Sequence, residues 1–243
     1  LLPRAMQALQ EAGLLDAVLA DGNQRKEGAV FLRDQAQAQF SFNEQFTRGW
    51  DHALQVPRAR FDHTLAKRCA AMGADVRFGT EVVGVTFGEE KSAVQIRDEA
   101  GKTSELSCRY VIDASGFGRV LSRLLGLEQA STQRTRKSLF SWVKPPASPV
   151  AAVANAAIEG ATWVCMLPGG GWLWMIPFAD GQSSVGVVAE PAFYDAWPSD
   201  PTEALRAMLA HDPNTSARFP TPEFAFDARV LQGYSSESTQ LFG

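Results

Sequence analysis

Three short apolar runs joined by turn sequences constrain the fold of this chain more than any other feature. Thr162–Leu167, Trp172–Phe178 and Ser183–Ala189 each have the length and the β-branched or aromatic content of a strand. Pro168–Gly171 separates the first two runs, and Asp180–Gly181 separates the second and third. Because Asp-Gly between two apolar runs is a strong hairpin signal, the sequence predicts three consecutive antiparallel strands.

The first half of the chain mixes helical and strand patterns. Ala59–Met72 has apolar residues at helical spacing, and Asp75–Phe78 follows it as a predicted strand. Alternating runs between residues 83 and 110 predict a β-meander, and Tyr110–Ala114 continues as a predicted buried strand. The composition becomes strand-rich from about residue 131. The fold class is therefore mixed α/β, with a division into residues 1–130 and 131–243.

Composition narrows the function classes. The 243 residues are 45% hydrophobic and 21% charged, as in ordinary globular proteins, and the net charge of −4 argues against binding to nucleic acid. No apolar run reaches the roughly 18 residues that a membrane span requires. Three widely spaced cysteines and three scattered histidines indicate a reducing compartment, with cytoplasmic localisation expected, and predict no metal site.

The most specific motif is Gly171–Pro177, with the sequence GWLWMIP. On a strand, Trp172, Trp174 and Ile176 share one face because side chains alternate, so the two indoles form a flat apolar wall. A sheet core would produce the same pattern. The following Pro177 favours a specialised strand instead, since a core strand rarely tolerates proline.

An arginine stands at the start of the predicted helix in the first half. Arg58 lies just before this helix and is a candidate ligand-binding residue, although Arg60 is close enough to take its place. A charge at a helix start without a ligand explains Arg58 equally simply. Asp62 falls in the first turn, where the helix dipole favours a carboxylate, so we expect it to be structural.

Small residues follow an acidic residue at the end of the predicted strand 110–114. Asp113, Ala114, Ser115 and Gly116 form a tight turn before a short helix. A dinucleotide fingerprint would need a glycine where Leu121 stands, so that motif fails. An ordinary strand–turn–helix corner remains the alternative interpretation.

One lysine lies in the run Arg25-Lys26-Glu27-Gly28-Ala29-Val30-Phe31. A lysine amine is a compact hydrogen-bond donor whose pKa falls on burial, which suits it to catalysis. A solvated charge run is the alternative for Lys26.

These four segments occur together in the order and approximate spacing of one family. The chain resembles the flavin-dependent, tryptophan-type halogenases, whose signatures include Trp-x-Trp-x-Ile-Pro, Val-x-Arg-x-x-Phe-Asp-x-x-Leu and Lys-x-Gly-Ala-x-Phe. The segment Asp113–Gly116 resembles the Asp-Ala-Ser/Thr-Gly turn of the wider glutathione-reductase-like FAD fold. The resemblance implies a partial FAD-binding domain with the β-meander in residues 1–130. It implies a β-rich, mainly antiparallel substrate domain, truncated at its return to the FAD domain, in residues 131–243.

The resemblance also implies roles for residues. Arg58 and Asp113, Ala114, Ser115 and Gly116 would contact FAD, and Trp172, Trp174, Ile176 and Pro177 would form a wall beside the flavin. The family's Gly-x-Gly-x-x-Gly loop would lie upstream of Leu1, and its Gly-Asp segment would follow Gly243. We therefore expect the chain to be a fragment that binds FAD poorly by itself.

The reaction implied by the resemblance begins with reduced FAD from a separate flavin reductase. Oxygen would form a flavin peroxide, and chloride or bromide would attack it to give hypohalous acid. Lys26 would present the halogen to a small electron-rich aromatic substrate. The same fold also serves flavin monooxygenases and reductases without halogenation, and a non-catalytic remnant is a third possibility, because fold does not fix the reaction.

Overall fold

The computed structural model describes residues 1–34, 36–145 and 158–240. The α-helices are α1 (Pro3–Glu11), α2 (Leu15–Ala20), α3 (Arg58–Ala71), α4 (Val120–Leu124), α5 (Pro201–His211) and α6 (Pro213–Arg218). The strands are β1 (Gln24–Lys26), β2 (Gly28–Arg33), β3 (Ala36–Ser41), β4 (Ala53–Gln55), β5 (Glu81–Thr86), β6 (Ser92–Arg97), β7 (Thr103–Cys108), β8 (Glu128–Gln129), β9 (Lys137–Val143), β10 (Thr162–Met166), β11 (Trp172–Pro177), β12 (Ser183–Ala189), β13 (Arg229–Gln232) and β14 (Glu237–Ser238). The strand start expected at Leu241–Gly243 lies outside the described residues.

The chain forms two compact units that are interleaved in sequence. The larger unit comprises Leu1–Ala74 and Thr135–Gln232, and the smaller unit comprises Asp75–Arg134 and the stretch from Gly233 onward. The division expected from the sequence was a single cut at residue 130. Its assignment of one part to the cofactor and the other to the substrate remains a prediction.

A seven-stranded sheet dominates the larger unit, in the order β13-β9-β12-β11-β10-β2-β3. Its neighbouring strands are antiparallel except for β10 and β2, which run parallel. The three strands predicted from residues 162–189 are β10, β11 and β12, and they are adjacent, as expected. Asp180 accepts a hydrogen bond from the Gln182 backbone N–H at 3.0 Å in the turn before β12, which confirms the Asp-Gly hairpin.

One face of this sheet packs against α5. Leu173 and Met175 of β11 are 0% and 1% exposed and belong to a buried cluster with Leu205 and Leu209 of the helix. Asp200 fixes the start of α5, because its carboxylate accepts backbone hydrogen bonds at 3.0 and 2.9 Å and Pro201 follows it. We call this side of the sheet the core face.

A second hydrophobic cluster fixes the first part of the larger unit. It is formed by side chains of α1, α2, α3 and β4 and of the segment after β3, namely Met6, Leu9, Leu15, Val18, Phe42, Ala53, Leu54 and Phe61. β1 and β4 form a two-stranded antiparallel sheet beside it, with Lys26 opposite Ala53. This arrangement determines where Lys26 and Arg58 lie.

Two segments of the smaller unit that the sequence predicts to be strands have no strand structure. The meander is present as β5-β6-β7, but Asp75–Phe78 and Tyr110–Ala114 are not strands. Tyr110 is 85% exposed and Ile112 is 89% exposed, so the second segment is not buried either. A strand exists only where a neighbour completes its backbone hydrogen bonds, and no described strand pairs with these segments.

Candidate functional site

The two indoles of the Gly171–Pro177 motif lie on the sheet face opposite the core. Burial alternates along β11, so Trp172, Trp174 and Ile176 are partly exposed whereas Leu173 and Met175 are buried. Pro177 is the last residue of the strand, beyond its pairing with β10, where a missing N–H is tolerated. The wall is therefore separate from the buried cluster, and its position beside a flavin remains a prediction.

The neighbouring strand β12 holds the indole of Trp174 closely. Its Nε1–H donates a hydrogen bond to Ser184 Oγ at 3.1 Å. Gly186 lies directly opposite Trp174 on β12, and a β-carbon there would come within 2.4 Å of the indole ring. The indole thus extends across the adjacent strand over the glycine.

Trp172 has different neighbours. It lies opposite Val188 on β12, and the guanidinium carbon of Arg136 lies 5.8 Å from its ring centroid, within the range of a cation–π contact. Among the described residues, its indole N–H has no hydrogen-bond partner. The two halves of the wall are therefore held by different forces.

Aromatic side chains continue the wall on β9. Phe140 and Trp142 point to the same side as Trp174, since Phe140 pairs with Gly186 and Trp142 with Ser184. Phe226 packs edge-on against both, with ring centroids 6.4 and 5.9 Å away. We call the side of the sheet with Trp172, Trp174, Phe140 and Trp142 the aromatic face.

Lys26 is buried without a counter-ion. It is 9% exposed, and its Nζ lies 5.6 Å from the centroid of the Phe42 ring. Its neighbours Arg25 and Glu27 pair with each other at 3.0 Å, whereas Lys26 makes no ion pair or hydrogen bond with the described residues. Burial lowers the pKa of the Lys26 ammonium below its ordinary value. The interpretation as a solvated charge run therefore holds for Arg25 and Glu27. It does not hold for Lys26, which the alternation of side chains along β1 turns inward.

Arg58 begins α3 and is exposed. Its guanidinium donates to both oxygens of Asp62 at 3.0 Å, one helical turn further on, and the structural role expected for Asp62 remains a prediction. Arg60 is the alternative candidate, and it donates to Asn23 Oδ1 at 3.0 Å. The cofactor role of Arg58 remains a prediction.

β4 connects the regions of Lys26 and Arg58. Lys26 of β1 pairs with Ala53 of β4, and α3 begins with Arg58, three residues after β4 ends at Gln55. Gln55 links this region to β10, because its amide donates to Gly160 O at 3.2 Å and to Thr162 Oγ1 at 2.9 Å.

The turn Asp113–Gly116 belongs to the smaller unit and builds the start of α4. Asp113 accepts hydrogen bonds from the backbone N–H groups of Ser115 at 2.8 Å and Leu121 at 2.9 Å. The hydrogen bonds from Ser115, followed by the one from Leu121, lower the pKa of Asp113. Ala114 and Gly116 are exposed, and Gly116 has a φ of 56° that favours glycine. The turn and the helix of the expected corner are therefore present without the preceding strand, and the cofactor role of these residues remains a prediction.

Comparison with known proteins identifies the family. The model for the FAD binding domain matches residues 1–217. The chain belongs to the FAD-binding domain family.

Several curated relatives of this FAD-binding chain are flavin-dependent halogenases. The 1H-pyrrole-2-carbonyl-[peptidyl-carrier protein] chlorinase of Pseudomonas fluorescens is 26% identical over 214 residues, which are 80% of this chain and 47% of the relative. The flavin-dependent halogenase gsfI of Penicillium aethiopicum is 24% identical over 270 residues, covering 100% of this chain and 50% of the relative. The resemblance inferred from the motifs is confirmed, and the chain spans about half the length of these relatives.

Solved structures give the same fold. A flavoprotein/dehydrogenase from Cytophaga hutchinsonii is 40% identical with a TM-score of 0.91, covering 100% of this chain and 58% of that one. The flavin-dependent halogenase CmlS is 27% identical with a TM-score of 0.81, covering 98% of this chain and 43% of that one. The mixed α/β fold with mostly antiparallel sheets is therefore shared with FAD-binding halogenases.

Two features of the larger unit are available to a ligand. The aromatic face offers a partly exposed apolar wall, and β1 and α3 carry the cations Lys26 and Arg58, of which Lys26 has no counter-ion among the described residues. None of the described helices is both long enough and apolar enough to cross a membrane.

Sequence reasoning missed Ser184, Gly186 and Arg136, the residues that hold the wall. A glycine inside the apolar run 183–189 was the available signal, because glycine in a strand often marks a close approach.

Proposed function

We propose that the full-length protein is an FAD-dependent oxidoreductase that halogenates a small, electron-rich aromatic substrate. The observation that carries this proposal is the position of the Trp-x-Trp-x-Ile-Pro motif on the partly exposed aromatic face. The halogenase relatives support it, and one relative named as a monooxygenase supports oxygenation as the competing activity.

Bound reduced FAD would supply, with oxygen and a halide, hypohalous acid as the halogenating agent. The indoles of Trp172 and Trp174 would form an apolar barrier that excludes water and keeps the aromatic substrate apart from the flavin. Arg58, Asp113, Ala114, Ser115 and Gly116 are the residues that we propose for FAD binding.

Lys26 would hold the halogenating agent beside the substrate. Its ammonium makes no hydrogen bond or ion pair with the described residues, so its N–H groups are free for a ligand oxygen. Its lowered pKa also makes the ammonium a stronger acid, and so a stronger hydrogen-bond donor to that oxygen. In the final step the aromatic carbon takes the halogen and loses its proton, and the oxygen leaves as water.

A halogenation assay tests this proposal. The full-length protein is incubated with FAD, a flavin reductase, NADH, oxygen and chloride or bromide, and products of an electron-rich phenol are followed by mass spectrometry. We expect a halogenated product that is lost in Lys26→Ala with NADH oxidation intact. Removal of a catalytic group of this kind typically lowers turnover by about 10²–10⁴-fold.

The exposed Lys67 of α3 provides the control, since Lys67→Ala removes a lysine of the same unit without touching the site. If Lys26→Ala halogenates like the native protein, Lys26 has no role in the reaction. If the native protein adds oxygen but no halogen, the protein is a monooxygenase and the halogenase proposal is wrong.

A further inference from the structure

The two indoles of the wall differ in how firmly they are held. Trp174 makes a hydrogen bond to Ser184 and crosses Gly186, whereas Trp172 makes only a cation–π contact with Arg136 among these types of interaction. The two tryptophans are therefore not equivalent, although they are two residues apart on one strand.

Gly186 is required by packing and not by backbone conformation. A β-carbon at this position would lie 2.4 Å from Cζ2 and Cη2 of Trp174 and 2.7 Å from the carbonyl oxygen of Leu139. Its φ is not in the positive region that favours glycine. Since both Trp174 and the backbone of β9 occupy the space, only glycine leaves room for the indole at this position of β12.

Ser184 fixes the other end of the ring. It precedes Gly186 by two residues, so both contact the indole from the same face of β12. The hydroxyl accepts the indole N–H at 3.1 Å, and it satisfies the only polar atom of the side chain. Rotation of the indole about either side-chain torsion would break this bond or drive the ring away from the glycine.

We propose that Ser184 and Gly186 are positioning residues that make Trp174 the fixed part of the wall, while Trp172 with Arg136 is the adjustable part. This inference rests on the proposed function, because the wall matters only if a reactive halogen species must be contained. Loosening Trp174 lets this species escape to solvent, so NADH is consumed without a corresponding amount of halogenated product.

A double-mutant cycle tests the inference in the full-length protein. We expect Ser184→Ala to lower the halogenated product per NADH oxidised by about two- to tenfold, the ratio that one ordinary neutral hydrogen bond represents. The same substitution in a Trp174→Phe background should change nothing further, because phenylalanine has no N–H to hold. Ser184→Thr keeps the hydroxyl and should restore the native ratio.

Ser183→Ala is the matched control, since Ser183 is the adjacent serine on the opposite side of β12. An equal loss in Ser183→Ala, or an equal loss from Ser184→Ala in both backgrounds, would show a general effect on the strand and overturn the inference.

A second measurement separates this inference from the proposed function. The fluorescence contribution of Trp174, taken as the native spectrum minus that of Trp174→Phe, should shift and lose anisotropy in Ser184→Ala. If the native protein gives no halogenated product but the Trp174 contribution changes in this way, the proposed function fails and the positioning of Trp174 stands. An unchanged contribution overturns the positioning whatever the activity.

Discussion

The same strands of the seven-stranded sheet contribute different kinds of side chain to its two faces. On the core face, Leu173, Met175, Val185 and Val187 are aliphatic or thioether side chains that are at most 1% exposed. On the aromatic face, Trp172 and Trp174 are larger but remain partly exposed. The comparison shows that on β11 the largest apolar residues lie outside the core, because successive side chains of a strand point to opposite faces of the sheet.

The largest expected effect concerns the reactivity of a cysteine on the core face. Cys165 lies on the core face opposite Leu173, and burial, followed by the nearby Asp212 carboxylate, raises its pKa from 9.0 to about 12. We expect its labelling by a maleimide at pH 8 to be about a thousandfold slower than that of an ordinary thiol, since the thiolate is the reactive form. Peptide-resolved mass spectrometry measures the rate, with Cys69 as internal comparison and the denatured protein as control. Equal labelling of both cysteines in the folded protein would mean that the core face is open.

Truncation of a side chain on the core face should lower the free energy of unfolding more than a substitution in the tryptophan wall. Leu173→Ala removes a fully buried side chain, so we expect the free energy of unfolding to fall by about 2–5 kcal/mol. Trp172→Leu on the other face should lower the free energy of unfolding by less than Leu173→Ala does, because Trp172 is partly exposed and lies outside the buried cluster. Denaturant titration of the full-length protein gives both values. A larger loss for Trp172→Leu would make the wall a second core.

The stability of α5, the helix on the core face, depends on Asp200, the residue that caps its N-terminus. Asp200→Ala removes the two hydrogen bonds that cap α5, so we expect a loss of about 1 kcal/mol in stability. Asp200→Asn retains an accepting side-chain oxygen and should be close to native. Thermal unfolding monitored by circular dichroism measures the difference, and equal melting of Asp200→Ala and native protein would exclude a contribution from the cap.

Substitution of Lys26 should have a smaller effect, and it should increase the stability of the protein. Its buried ammonium is stabilised by no ion pair in the described part of the chain, so Lys26→Met should raise the free energy of unfolding by up to about 1 kcal/mol at pH 7. Because the folded-state pKa is lowered, this gain should shrink as the pH rises towards 10.5, where the lysine is neutral in both states. Denaturant titrations at pH 7 and pH 10 test the sign. A loss of stability at pH 7 would mean that Lys26 serves the fold instead of a ligand.

The sequence predicted features formed by neighbouring residues better than the pairing of segments that are distant in the chain. The hairpin at Asp180–Gly181 follows from neighbouring residues, and it is present. Asp75–Phe78 and Tyr110–Ala114 have strand composition, yet they are not strands, since pairing depends on residues distant in sequence. The register that places Ser184 and Gly186 against Trp174 is non-local in the same sense, which is why sequence reasoning found the wall but not its supports.

The parallel pairing of β2 with β10 also bears on how the chain is synthesised. Ala29 pairs with Thr162, so the ribosome must add more than a hundred residues before the outer edge of β2 has a neighbour. Until then the hairpin of β2 and β3 presents an open strand edge with the apolar Val30 and Phe31, which is a template for association between nascent chains. The same long-range closure makes formation of this sheet a slow, late event in folding. Yield in a cell should therefore depend more on chaperone supply and temperature during synthesis than on the stability of the finished protein.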